Sequence, residues 1–162
     1  MSSPTVQPLH ALEIPTQALS LLVPSACVAE VVSHCALAAL PLGPQWVLGV
    51  MGWRSKPVSV ISLETLMGVV AASPGPLPDS NTGPRRRGNR KIVVFYPLPG
   101  RKPWEFFGIV TCAEPQSHVV DSAALASAVS TPNGGIIAMT VQLGSSVVAI
   151  PDMGALAAVL YP

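Results

Sequence analysis

The chain has 162 residues, 49% of them apolar and only 10% charged, with a net charge of +1. That much apolar content over a domain-sized length excludes a disordered chain and supplies a core without disulfides. The near-neutral balance excludes a general attraction to nucleic acid or acidic membranes, and the scarcity of charge predicts exposed apolar patches for partner proteins.

Residues 1–17 carry three prolines and read as a flexible leader. The apolar runs 18–23 and 28–32 are brief and bracketed by Pro24 or polar residues, which suits strands better than helices. Residues 44–48 suit a single helical turn entering Gly49, and the β-branched run 58–61 suits a buried strand. Ser62 is placed to cap a short helix through Met67, which Gly68 would end. Residues 71–89 hold four prolines, three glycines and Arg85-Arg86-Arg87, with almost nothing to bury. They read as a long, mobile surface loop between two halves. Its basic run reads as solvated, with contact to a phosphate or an acidic partner as the alternative.

Runs 92–96 and 104–112 flank Gly100 and predict a β-hairpin. The alanine-rich stretch 121–129, with its acidic start, suggests a short helix. Asn133-Gly134-Gly135 turns the chain into a strand at 136–141, and Gly144-Ser145 into another at 147–150. Pro151-Asp152 opens a last helix with Leu156, Val159 and Leu160 on one face. Short strands with few helices predict a mostly β chain, two small barrels or a sandwich. We expect one domain over 18–162: a first half at 18–70, a second at 91–150 and a C-terminal helix at 151–162.

Catalytic chemistry needs converging groups, and none is evident. His10, His34 and His118 stand apart from one another and from Cys27, Cys35 and Cys112, which show no CxxC spacing. Gly144-Ser145-Ser146 is not a nucleophile elbow, and Gly134-Gly135 lacks the helix and lysine of a phosphate cradle. The acidic residues are scattered. We therefore expect no enzyme, no metal and no cofactor. The aromatics Trp46, Trp53, Trp104 and Phe106-Phe107 lack interleaved basic residues and are better explained by core packing than by base stacking. The longest apolar candidate, 35–51, is interrupted by Pro41, Gly43 and Pro44 and is too short to span a bilayer. The start does not read as a signal peptide, and unpaired cysteines suit a reducing cytoplasm.

Residues 42–66 are the most distinctive. An apolar turn leads to Gly49, an apolar strand follows, and Arg54 is the only charge between Glu30 and Lys56. Glycine there lets the backbone approach a neighbour, and such an arginine suits a forked contact with carboxylates or carbonyls. Val28-Ala29-Glu30-Val31, the run Pro44-Gln45-Trp46-Val47-Leu48-Gly49-Val50-Met51-Gly52-Trp53-Arg54, and Ser59-Val60-Ile61-Ser62-Leu63 follow in order. Together they resemble the CheW-like domain family of chemosensory coupling proteins. That family's pattern has a glycine where Ser55 stands, a proline at Ser59 and an aspartate at Ser62. The resemblance is strong over 21–68 and weaker beyond the loop, where 91–113 is similar to a central hairpin and 135–160 to the closing strands and helix.

The resemblance implies two small five-stranded, SH3-like β-barrels packed side by side, with short helices. It implies a non-catalytic adaptor linking methyl-accepting chemoreceptor signalling tips to the regulatory domain of a CheA-type histidine kinase. Receptor contact would lie in the groove between barrels, at positions matching Val28, Glu30, Gly49 and Arg54. The low charge, Trp53 before Arg54 and the divergent second half are most similar to accessory couplers of type IV pilus (twitching) systems. The expected location is the cytoplasm, with recruitment to membrane-associated receptor arrays, no membrane insertion and no nucleic-acid partner. Two alternatives stand: a divergent module that binds another protein without kinase coupling, and a ligand-binding or enzymatic barrel using the groove. Arg54 also has an internal option, pairing with Glu30 or Glu64.

Overall fold

The computed structural model describes residues 7–17, 19–33, 35–68, 90–121, 128–130 and 135–161. In chain order its elements are β1 (Leu9–Pro15), β2 (Ser20–Pro24), β3 (Val28–Ser33), β4 (Val47–Trp53), β5 (Lys56–Ile61) and α1 (Leu63–Leu66). They continue with β6 (Lys91–Phe95), β7 (Phe107–Val110), β8 (Gln116–Val120), β9 (Ala128–Ser130), β10 (Ile137–Leu143), β11 (Ser146–Pro151) and α2 (Met153–Leu160). The strands form a six-stranded sheet, β8-β1-β2-β11-β10-β9, and a five-stranded sheet, β3-β6-β7-β5-β4. Pairing is antiparallel except where β11 meets β2 and β5 meets β7.

The apolar composition follows from burial on both faces of these strands. On β6, Val93 and Phe95 join Ile14, Leu21, Ile61, Phe107 and Ala149 in a core shared by the two sheets. The alternate residues Ile92 and Val94 pack with Met51, Trp53, Val58 and Val60 on the other face of the same sheet. A strand covered on both sides reads as an unbroken apolar run, as residues 92–95 do. The six-stranded sheet repeats the scheme: Leu21 and Val23 enter the shared core, while Leu22 joins Ala11, Val120, Val141 and Val148. Phe95 and Phe107 stack at 4.8 Å within the shared core.

Both helices begin as expected. The Ser62 hydroxyl accepts from the Thr65 amide at the start of α1, and Asp152 accepts from the Ala155 amide at 2.9 Å at the start of α2. The 92–96 and 104–112 hairpin exists as β6–β7, with Val93 opposite Ile109. Pro44–Trp46 makes a turn rather than a helix, its Pro44 carbonyl accepting from the Val47 amide at 2.9 Å.

The mostly β class holds, with differences in detail, one sheet having six strands where two five-stranded barrels were expected. Residues 9–15, expected within a leader, form β1, which pairs with both β2 and β8 and buries Ala11 and Ile14. The sheets do not follow the expected halves at 18–70 and 91–150. β3 to β7 make the five-stranded sheet, whereas β1 and β2 join the later strands in the other. Nor are these closed barrels among the described residues, because the first and last strands of each sheet share no ladder. Of the helix expected at 121–129, residues 122–127 lie outside the described residues and Ala128–Ser130 is β9. The loop expected at 71–89 also lies outside them.

Candidate functional site

β3 and β4 are opposite edges of the five-stranded sheet, yet their side chains meet. The β4–β5 hairpin turns through Arg54 and Ser55, with Trp53 paired to Lys56. Both turn residues have positive φ, 46° and 60°. This is the primed two-residue turn that matches the twist of paired strands, and glycine is the usual occupant of such positions. The turn carries Trp53 and Arg54 over to β3, where a bulge between Val28 and Glu30 re-aims the strand.

One carboxylate oxygen organises the junction. The Trp53 indole N–H donates to Glu30 Oε2 at 2.9 Å, and Arg54 Nη2 donates to the same atom at 2.9 Å. The guanidinium also lies 4.8 Å from the Trp53 ring centroid. Trp53 is buried, at 8% exposure, whereas the Arg54 side chain is 66% exposed. Arg54 is thus held in one orientation with donors still facing water, a geometry suited to a carboxylate or carbonyl arriving from outside. Of its two internal options the structure selects Glu30; Glu64 lies elsewhere.

Gly49 does different work. Its φ is +148°, and a Cβ there would stand 2.6 Å from the Ala38 carbonyl oxygen and 2.9 Å from Leu37 Cβ. The glycine lets residues 37–38 lie against β4, where Ala38 and Val50 exchange backbone hydrogen bonds of 2.8 and 2.9 Å. It is five residues from Arg54, about 16 Å along a strand. Val28 is half-buried against the core shared by the sheets. The structure therefore joins Glu30 to Arg54, sets Val28 in the packing two positions away, and places Gly49 towards the far end of β4.

The three serines each have a distinct setting. Ser55 occupies the left-handed turn position, and Ser59 is an exposed residue of β5. Ser62 caps α1 and also donates its hydroxyl to Glu64 Oε2 at 3.0 Å. Glu64 is buried, and its Oε1 accepts from the Gln17 amide at 2.5 Å, tying α1 to the β1–β2 turn.

Core packing, which the sequence favours for Trp53 and Phe106, is only part of their role. Trp53 is buried yet also holds the site, and Phe106 packs on it at 5.1 Å. The signal was strand alternation: Phe106 and Phe107 are neighbours, so when Phe107 enters the shared core, Phe106 must face the other way. His118 finds a partner in a carboxylate, its Nε2 lying 2.7 Å from Glu13 Oε2 across β1 and β8. Burial pushes the Cys27 thiol pKa up, and burial together with the nearby Glu105 charge raises that of Tyr161 against the opposing effect of Arg101. Among the described residues no three His, Cys, Asp or Glu side chains gather as a metal site, and no helix is long and apolar enough to cross a membrane.

Comparison with known proteins follows the fold closely. The family model of the CheW-like domain matches residues 12–160, which take in strands of both sheets and α2. A search of curated proteins finds no significant match. Among solved structures the chain is similar to the scaffolding protein TtCheW from Thermoanaerobacter tengcongensis. The TM-score is 0.66 at 15% identity, covering 90% of each chain, a likeness that bears on the fold.

Proposed function

The chain belongs to the CheW-like domain family, and on that premise we propose that it is a non-catalytic scaffold of chemosensory signalling. In this reading it couples the signalling tips of methyl-accepting chemoreceptors to the regulatory domain of a CheA-type histidine kinase. It does so from the cytoplasm, at membrane-associated receptor arrays, without nucleic acid or membrane insertion. The pathway we favour controls type IV pilus twitching, on the low charge and the tryptophan preceding Arg54. The observation that carries the reading is the family match over residues 12–160.

The proposed contact set is Val28, Glu30, Gly49 and Arg54, with unequal parts. Arg54 and Glu30 offer exposed polar atoms to a partner, whereas Val28 and Gly49 shape the strands that carry them. A site with an oriented arginine beside buried aromatic surface has the composition of a protein-interface hot spot. The test is co-purification of the chain with the kinase and receptors encoded beside it. Arg54→Ala is expected to weaken recovery of the kinase or the receptor while lowering the thermal unfolding midpoint by no more than about 4 °C. Equal recovery by the variant would remove Arg54 from the contact, and failure of the native chain to recover either partner would overturn the coupling role.

A further inference from the structure

Trp53 is the inner end of a longer aromatic row. Its ring centroid lies 5.1 Å from that of Phe106, which lies 6.1 Å from that of Tyr96. Exposure rises along the row: Trp53 is buried, Phe106 half-buried, and Tyr96 is 48% exposed. Two cations flank it, Arg54 at 4.8 Å from the Trp53 centroid and Lys56 at 5.6 Å from the Phe106 centroid. Among the described residues no carboxylate pairs with Lys56. The row is anchored at both ends, by Glu30 on the Trp53 indole and by the Tyr96 amide donating to the Cys27 carbonyl at 3.0 Å.

Aromatic faces bordered by cations suit a ligand that sets carboxylates against the cations and an aromatic or apolar side chain on the exposed ring. A nucleic-acid strand fits less well. It brings a phosphate at every nucleotide, which two cations cannot balance. A peptide can space its acidic residues so that they meet Lys56 and the outward donors of Arg54. We propose that the row Trp53–Phe106–Tyr96, with Arg54 and Lys56, docks an acidic segment of a partner protein that also carries an aromatic side chain. The proposal deepens the scaffold reading and rests on it, extending the contact at Arg54 to Lys56, Phe106 and Tyr96.

The test titrates the full chain against three labelled probes and follows anisotropy: a random glutamate–tyrosine copolymer, polyglutamate and an oligothymidylate. The copolymer is expected to bind more tightly than polyglutamate, and added salt to weaken it. Lys56→Glu and Tyr96→Ala, both at exposed positions, are each expected to weaken copolymer binding about tenfold with unchanged thermal unfolding. Equal binding of polyglutamate and copolymer, or unaffected variants, would overturn the proposal. Tighter binding of the oligothymidylate would replace it with a nucleic-acid surface. Co-purification with kinase and receptors separates the two readings. Loss of copolymer binding with co-purification intact sinks only this inference, and the reverse sinks only the scaffold assignment.

Discussion

Glu30 and Trp53 sit on opposite edges of the five-stranded sheet, joined by an indole N–H donating to the Glu30 carboxylate at 2.9 Å. Because Arg54 uses the same oxygen, removing Glu30 strips two partners at once, one of them buried. Glu30→Ala is expected to destabilise the fold by about 1–3 kcal/mol, since the indole N–H is left without its acceptor. Arg54→Ala removes only an exposed ion pair and is expected to cost at most about 1 kcal/mol. Urea unfolding of both single variants and of the double variant measures the difference. Equal losses would show that the tryptophan contact contributes nothing.

Ser55 occupies a left-handed turn position with φ of 60°, where the related pattern has glycine. A side chain in that region costs about 1–2 kcal/mol, partly offset in a glycine variant by the greater freedom of the unfolded chain. Ser55→Gly is therefore expected to raise stability by about 0.5–1 kcal/mol. A lower unfolding midpoint in the variant would point to a contribution from the serine hydroxyl that the turn geometry does not supply.

Gly49 and Gly68 both have positive φ, but only Gly49 is hemmed in. A Cβ at Gly49 meets the Ala38 oxygen at 2.6 Å, whereas one at Gly68 meets nothing within 4 Å. Gly49→Ala is expected to cost about 2–4 kcal/mol, the sum of backbone strain and overpacking. Gly68→Ala should cost only the strain, about 1–2 kcal/mol. Denaturation midpoints of the two variants give the comparison, and near-equal values would mean that residues 37–38 move aside freely.

The cysteines should separate by reactivity. Cys35 and Cys112 are exposed, while Cys27 is half-buried with its thiol pKa raised by desolvation. A raised pKa lowers the thiolate fraction at neutral pH, and the thiolate is the reacting species. Iodoacetamide followed by peptide mapping is expected to label Cys35 and Cys112 first and Cys27 last. The Cys27 rate should keep rising at pH values where an unshifted thiol has levelled off. Early labelling of Cys27 would show that the turn between β2 and β3 opens readily.

Much of this architecture was legible in the residues. The 92–96 run announced one strand of a hairpin, and Ser62 and Asp152 announced the two helix starts. β1 was hidden because Glu13 breaks its apolar pattern. The group that accommodates Glu13, His118, lies on β8, 105 residues away in the chain. The division of strands between sheets was equally hidden, since β2 pairs with β11 from the opposite end of the sequence. At the site, Glu30 and Arg54 stood out as lone charges, but their meeting depends on the curl that brings two sheet edges together. The parts played by Tyr96, Phe106 and Lys56 depend instead on the strand order β6-β7-β5, which sets segments distant in the chain side by side.

The buried Glu64 carboxylate receives the Gln17 amide from the β1–β2 turn while belonging to the helix that follows β5. Each sheet therefore grips the other by a polar clasp at one end of the apolar core between them. Swinging one sheet away would break that hydrogen bond and open the shared apolar core, with Leu63 and Ile14, to water, so a soft hinge at this end is disfavoured. The two sheets are thus coupled at this end by a polar contact as well as by the apolar core, so a displacement of one is expected to be felt by the other.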